Sequence, residues 1–261
     1  AASATADARA VPVFADKQLS EAAKALDSAA GGAVTRAIEA GRFTGAPGDI
    51  AEIVAPSGVD ADRIVVFGLG DKGKVDGGAL EKAAAGVVKH LLASGAEAVS
   101  LEIEGLGDAE AACRAALGAT MAAYRFDQYR TKLPEAKKPS LTALEIVRSD
   151  ADGVKTAWTT GWAAVADGVA LARDLVNEPA NILHPESYAA RIKALAEHGL
   201  EIEILGEAEM EKLGMHSLLG VGRGSERESQ LVIMKWNGGK AGDAPLAFVG
   251  RAASIRGEAR S

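Results

Sequence analysis

Short apolar runs alternate with longer stretches in which apolar residues recur every three or four positions. Val11–Phe14 is an apolar run that predicts a strand. From Leu19 to Ala40 the positions Leu19, Ala23, Leu26, Ala30, Val34 and Ile38 keep close to helical spacing, and Gly31-Gly32 breaks the stretch into two helices. Glu52–Ala55 reads as a brief strand before the turn Pro56-Ser57-Gly58. Arg63–Phe67 is a β-branched strand ending at Gly68. Asp76–Ala93 returns to helix, with Leu80, Val87, Val88, Leu91 and Leu92 marking its buried face. A strand over Ala98–Ile103, a helix over Asp108–Tyr124 capped by Asp108, and a strand over Leu141–Val147 complete the first half. Strands alternating with helices predict an α/β fold with a largely parallel sheet.

Tyr129–Ser140 is polar, carries two prolines and reads as a loop. Ala151–Val176 contains no proline and suits one long helix, started by Asp150 or Asp152. About 25 helical residues would extend about 37 Å, a length suited to a connector. Pro179 closes it. The alternation then restarts. Pro185–His198 is a helix with Pro185 in its first turn, Leu200–Leu205 a strand, and Glu207–Leu213 a short helix stopped by Gly214. Met215–Val221 is apolar, Gln230–Trp236 is a strand turned by Asn237-Gly238-Gly239, and Leu246–Val249 is a last apolar strand. The expected organisation is a domain over 1–149, a connecting helix over 150–176, and a second α/β region over 177–261.

Composition narrows the function classes. With 48% hydrophobic and 25% charged residues the chain is ordinary for a globular protein, but at 4% aromatics its core must rest on Ala, Val, Leu and Ile. A net charge of -7 carries no electrostatic footprint for nucleic acid or an anionic membrane. No apolar run reaches transmembrane length. The single cysteine, Cys113, excludes an internal disulfide framework and points to a reducing, cytoplasmic compartment. Its Ala-rich helical surroundings predict a buried thiol.

Three clusters invite chemistry. Gly68-Leu69-Gly70-Asp71-Lys72-Gly73 fits G-x-G-x-x-G between a strand and a helix, where amides could approach a phosphate. The acidic residue that a dinucleotide site needs at the end of the next strand comes too late, at Glu102 or Glu104, and Asp71 puts negative charge inside the loop. A structural turn is therefore favoured over a nucleotide- or ADP-ribose-binding module. Gly220–Ser225 lacks a G-K-[ST] ending and reads as a flexible connector. His90, His184, His198 and His216 are scattered, with no H-E-x-x-H pair. No G-x-S-x-G elbow occurs.

The densest signature is Asn177-Glu178-Pro179-Ala180-Asn181, followed by Pro185, within DLVNEPANILHPESY. Chemically this segment ends a helix: Asn177 can cap, Pro179 blocks propagation, and Asn181 suits the next turn. Glu178 reads as structural. Together with GMHSLLGVGRGSERESQLVIMKWNGG, PLAFVG and the earlier Tyr124-Arg125-Phe126-Asp127, it resembles the leucyl (cytosol) aminopeptidase family. The resemblance is strong from Asp174 to Gly250. It implies a macro-like N-terminal α/β domain that helps hexamer assembly. It also implies a catalytic domain in which two divalent ions, Mn or Zn, release the first residue of peptides with a free N-terminus.

In that family the ligands are a lysine, three aspartates and a glutamate, with a second lysine and an arginine near the reacting carbonyl. All lie at or beyond a G-K-G segment. Here the corresponding stretch reads Gly250-Arg251-Ala252, and Ala252–Ser261 holds one carboxylate, Glu258. A guanidinium stays protonated and offers a metal no lone pair. The expectation is a truncated or frame-shifted member with no catalytic, cofactor-binding or metal-ligating residue of its own. It would be inactive alone, with a non-catalytic place in a hexamer as an alternative role. Leu246–Val249 would then lack sheet neighbours and expose its apolar side chains.

Overall fold

In the computed structural model, which describes residues 6–240 and 242–250, contacts divide the chain between Arg173 and Asp174. The first unit is built on β1 (Ala8–Phe14), which pairs on both sides: parallel to β4 (Arg63–Gly70) and parallel to β5 (Ala98–Glu102). The edges are β3 (Ile50–Val54), antiparallel to β4, and β6 (Ala143–Val147), parallel to β5. A two-residue β2 (Gln18–Leu19) folds back on the end of β1. The strand order β3-β4-β1-β5-β6 is the mixed, mainly parallel sheet that the sequence pattern predicts.

Two layers of helix cover this sheet. On one face, α1 (Glu21–Ala29) and α2 (Ala33–Ala40) bury Leu26, Val34 and Ile38 against Val11, Val13, Ile64 and Val66. Gly31 and Gly32, both at positive φ, make the break between them. On the other face, α3 (Gly77–Leu91) and α4 (Ala109–Ala123) pack on Ala8, Ala10, Val65, Phe67, Val99 and Leu101. Asp76 and Asp108 cap them, accepting from the amides of Ala79 and Ala111 at 2.8 and 2.9 Å. α4 approaches α3 through Gly118, where a Cβ would fall on the Glu81 carbonyl oxygen. Alternation along β4 and most of β1 therefore gives each face its own core.

Polar residues occur on the α1–α2 face near β5. Arg9 pairs with the buried Glu102 across β1 and β5, and the buried Ser100 hydroxyl, opposite Arg9 in the register, has no hydrogen-bond partner among the described residues. Arg148, just past β6, is held by the Leu106 and Gly107 carbonyls and by Asp150.

The predicted single helix over Ala151–Val176 takes a different form. α5 (Ala151–Ala157) passes into a π-helical turn, Trp158–Trp162, in which the Ala163 amide bonds the Trp158 carbonyl, and continues as α6 (Ala163–Asn177). Asp150 stands at the start but gives no side-chain cap, because its carboxylate is engaged by Arg148 at 2.6 Å. The Trp162 indole donates to Glu110, and the Arg173 guanidinium lies 3.9 Å from the Tyr124 ring centre while donating to the Met121 carbonyl.

The second unit starts in α6 and carries α7 (Pro185–Ala194), β7 (Glu201–Leu205), α8 (Glu207–Lys212), α9 (His216–Gly222) and β8 (Leu231–Lys235). β7 and β8 form an antiparallel pair. Two expectations change. Gly220 and Gly222 lie in α9 and not in a loose connector. Leu246–Val249 forms no strand: Leu246, Phe248 and Val249 are 82%, 90% and 98% exposed, because no described strand pairs with the segment.

Candidate functional site

The glycine-rich segment at Gly68–Gly73 is the first place to test for ligand chemistry. The sequence ended β4 at Gly68; the strand runs on through Gly70. The difference has a cause in the neighbouring loop. The Gly68 amide donates to the Asp49 carbonyl at 2.9 Å and the Gly70 amide to the Gly45 carbonyl at 2.7 Å. Residues 45–49 thus extend the edge begun by β3. Glycine is required at 68 because a Cβ there would meet the Ala46 carbonyl oxygen, and at 70 because φ is +74° against the Pro47 ring.

Asp71 closes the rest of the motif, accepting from the Gly73 amide at 3.0 Å. That bond, with Lys74 beside it, holds the Asp71 carboxyl below the usual range. The amides of Gly68, Gly70 and Gly73 are therefore bonded within the chain. Gly68 and Gly70 serve close backbone approach of the 45–49 loop. That loop is itself fixed. Asp49 accepts from the amides of Thr44 and Ala46 and from the Thr44 hydroxyl, and the Thr44 amide bond above all lowers its pKa.

The Asn177–Asn181 segment does what its residue types dictate. α6 ends at Asn177, Pro179 follows, and the amides of Ile182 and Leu183 turn back onto the Pro179 carbonyl. The Glu178 side chain is 2% exposed and pairs with Arg191 of α7 at 3.0 Å, so it ties the turn to the next helix. The Ser187 hydroxyl accepts from the His184 amide and starts α7, while His184 Nδ1 is buried with no partner among the described residues.

A metal centre needs converging donors. His90 is bonded to Glu52 at 2.9 Å, and Glu52 also accepts from Arg63 at 2.6 Å. Burial acts to raise the Glu52 carboxyl, but the Arg63 and His90 hydrogen bonds outweigh it and the net shift is downward. His198 lies beside Glu197, and His216 starts α9. Among the described residues no three of His, Cys, Asp and Glu are grouped to hold an ion, so these residues do not fit a metal site. Arg251, Glu258 and the rest of Ala252–Ser261 lie outside the described residues. Cys113 is fully buried, which raises its pKa, with Sγ 3.6 Å from the Val154 carbonyl.

With this geometry in hand, the relatives decide the lineage. Residues 10–133 match the cytosol aminopeptidase family's N-terminal domain, and residues 170–254 match the same family's catalytic domain. A probable cytosol aminopeptidase of Caulobacter vibrioides is 53% identical over 89% of this chain. The chain belongs to the cytosol aminopeptidase family. One from Xanthobacter autotrophicus is 43% identical over 84% of the chain. The chain spans about half the length of the curated relatives it matches, 47% and 44% of these two. Among solved structures, the bottromycin maturation enzyme BotP in complex with Mn aligns with a TM-score of 0.67 and 26% identity, covering 89% of this chain and 46% of that one. A tomato leucine aminopeptidase variant, at 23% identity and a TM-score of 0.65, shares the fold over 80% of this chain and 43% of its own.

The sequence pattern located the family segment and the Asp108 cap but missed the Glu52–Arg63–His90 cluster and the Arg9–Glu102 pair. Their members lie 11 to 93 residues apart. The only local sign was a charged residue at an otherwise inward-facing strand position. The π turn was also missed; Trp-Thr-Thr-Gly-Trp, with two β-branched residues and a glycine inside a helix, was its signal.

Proposed function

We propose that this chain is the N-terminal half of a metal-dependent aminopeptidase that releases N-terminal residues from peptides in the cytoplasm. The observation carrying this reading is the 53% identity to a probable cytosol aminopeptidase across both family regions. Residues 1–149 would serve assembly, the 150–176 helix would connect, and residues from 177 would open the catalytic domain of a hexamer. The reaction belongs to the whole protein. Two divalent ions, Mn or Zn, would polarise the scissile carbonyl and activate water there. Mn accompanies the related BotP structure. No helix among the described residues is long and apolar enough to cross a membrane, in keeping with this reading.

The 261-residue polypeptide alone is proposed to be inactive, with no catalytic or metal-binding residues, because Arg251 stands where the family places its first ligand lysine. Purified chain incubated with leucine amide and Mn²⁺ or Zn²⁺ is expected to show no turnover above the metal blank; turnover would overturn the proposal of inactivity. A chimera joining residues 1–250 to the remainder of the Caulobacter vibrioides relative tests the family function itself. It should release leucine in a metal-dependent way. A folded chimera without activity would count against that function.

A further inference from the structure

A cavity of about 510 Å³ opens in the first unit, away from the Gly68–Gly73 motif and the Glu52–Arg63–His90 cluster. Its floor is the outer end of α4, where Ala116, Ala119, Thr120 and Ala123 present only small side chains. One wall is β6, through Leu144 and Ile146; the other is α5 and the Trp158 ring. The space exists because α4 is alanine-rich where it faces these larger groups. Most of the exposed lining is apolar.

Three observations make this more than a gap. Its volume lies within the range of small-molecule sites, which are apolar clefts with a few polar groups. Trp158 opens the π-helical turn, and such turns cluster at functional sites. The charges at the rim are also asymmetric. Arg148 is neutralised by Asp150 and fixed by two carbonyls, whereas Lys155 is exposed at the mouth with no ion-pair partner among the described residues. The Thr120 and Thr142 hydroxyls donate to the Ala116 and Glu97 carbonyls, leaving only acceptor capacity for a ligand.

We propose that this cavity binds an amphiphilic carboxylate, with its aliphatic body against α4, β6 and Trp158 and its anionic head at Lys155. The proposal stands apart from the peptidase reading and does not depend on it.

Decanoate, decanol and decylammonium share one chain length and differ in head group, so titrating each into the full chain by calorimetry separates the parts of the argument. Decanoate is expected to bind one per chain, more tightly than the other two. Lys155→Gln should weaken decanoate roughly three- to five-fold, the scale of one exposed ion pair, and leave decanol unchanged. Ala123→Leu, at an exposed position of α4, should abolish saturable binding while the melting temperature holds. Ala116→Leu, deeper on the same face, is a second filling variant should the first disturb the helix. Absence of saturable decanoate binding would overturn the proposal, as would equal affinity for all three probes or unchanged binding in both filled variants.

Discussion

Substituting Gly68 separates the two readings of the glycine motif. In Gly68→Ala the added Cβ would meet the Ala46 carbonyl oxygen and crowd the Gly45 carbonyl carbon. Neither is the flexible end of a side chain, so the 45–49 loop must move off β4. That movement breaks the bonds from the Gly68 amide to Asp49 and from the Gly70 amide to Gly45, at 2.9 and 2.7 Å. Two backbone hydrogen bonds contribute about 1 kcal/mol each, and overpacking adds about 1–3 kcal/mol. Partial relaxation of the loop overlaps these terms, which leaves an expected loss of about 2–4 kcal/mol. For a protein of this size each kcal/mol lowers the melting temperature by about 2–4 °C. Gly68→Ala should therefore melt roughly 5–15 °C below the parent.

Gly73→Ala is the matched control. Its nearest neighbour, Asp71 Oδ1, would be 3.5 Å away, an ordinary contact, and the expected change is within about 0.5 kcal/mol. A phosphate cradle would make both glycines matter to ligand affinity and neither especially to stability. Circular dichroism melts of the two variants decide the matter. If Gly68→Ala melts with the parent, or Gly73→Ala falls as far as Gly68→Ala, the packing argument is wrong.

Three further outcomes follow from the same structure. The Glu52 carboxyl is held below its ordinary 4.5 by Arg63 and His90, against the opposing effect of burial. Its contribution is therefore present above the unfolded value and lost as pH falls through the folded one; Glu52→Gln should flatten the acid limb of a melting-temperature profile, and an unchanged limb would refute this. Cys113, buried with a raised pKa, should resist a thiol reagent at pH 8 in the native chain and react at once in denaturant; equal rates would contradict the burial. Glu178→Ala leaves Arg191 without its buried partner and should cost about 1–3 kcal/mol, seen as faster proteolytic cleavage near residues 178–185, and unaltered cleavage would sink that role.

Much of the first unit was legible because its determinants are local. Asp76 and Asp108 announce helix starts by side-chain type alone, and Gly31-Gly32 announces a break because only glycine takes two successive positive φ values cheaply. The helix over 151–177 was legible as helix but not as interrupted helix. Its π turn ends at Trp162, whose bond to Glu110 joins positions 52 residues apart. The proposed carboxylate site was illegible for a similar reason. Alanines on α4 look like good helix formers until β6 and α5 stand opposite them and leave a space.

The glycine motif and the 246–249 segment share one lesson about what a sequence pattern can carry. G-x-G-x-x-G between strand and helix is the same string whether its amides face a phosphate or a neighbouring chain segment. The choice rests with residues 45–49, about twenty positions upstream, whose carbonyls take those amides. Leu246–Val249 is likewise an apolar run of strand type, yet strand is a relation between segments and needs a partner's donors and acceptors. β7 and β8 satisfy each other and meet no third strand among the described residues, so 246–249 keeps the composition of a strand without its pairing. Periodicity specifies which face a segment would bury; only the neighbour specifies whether it does.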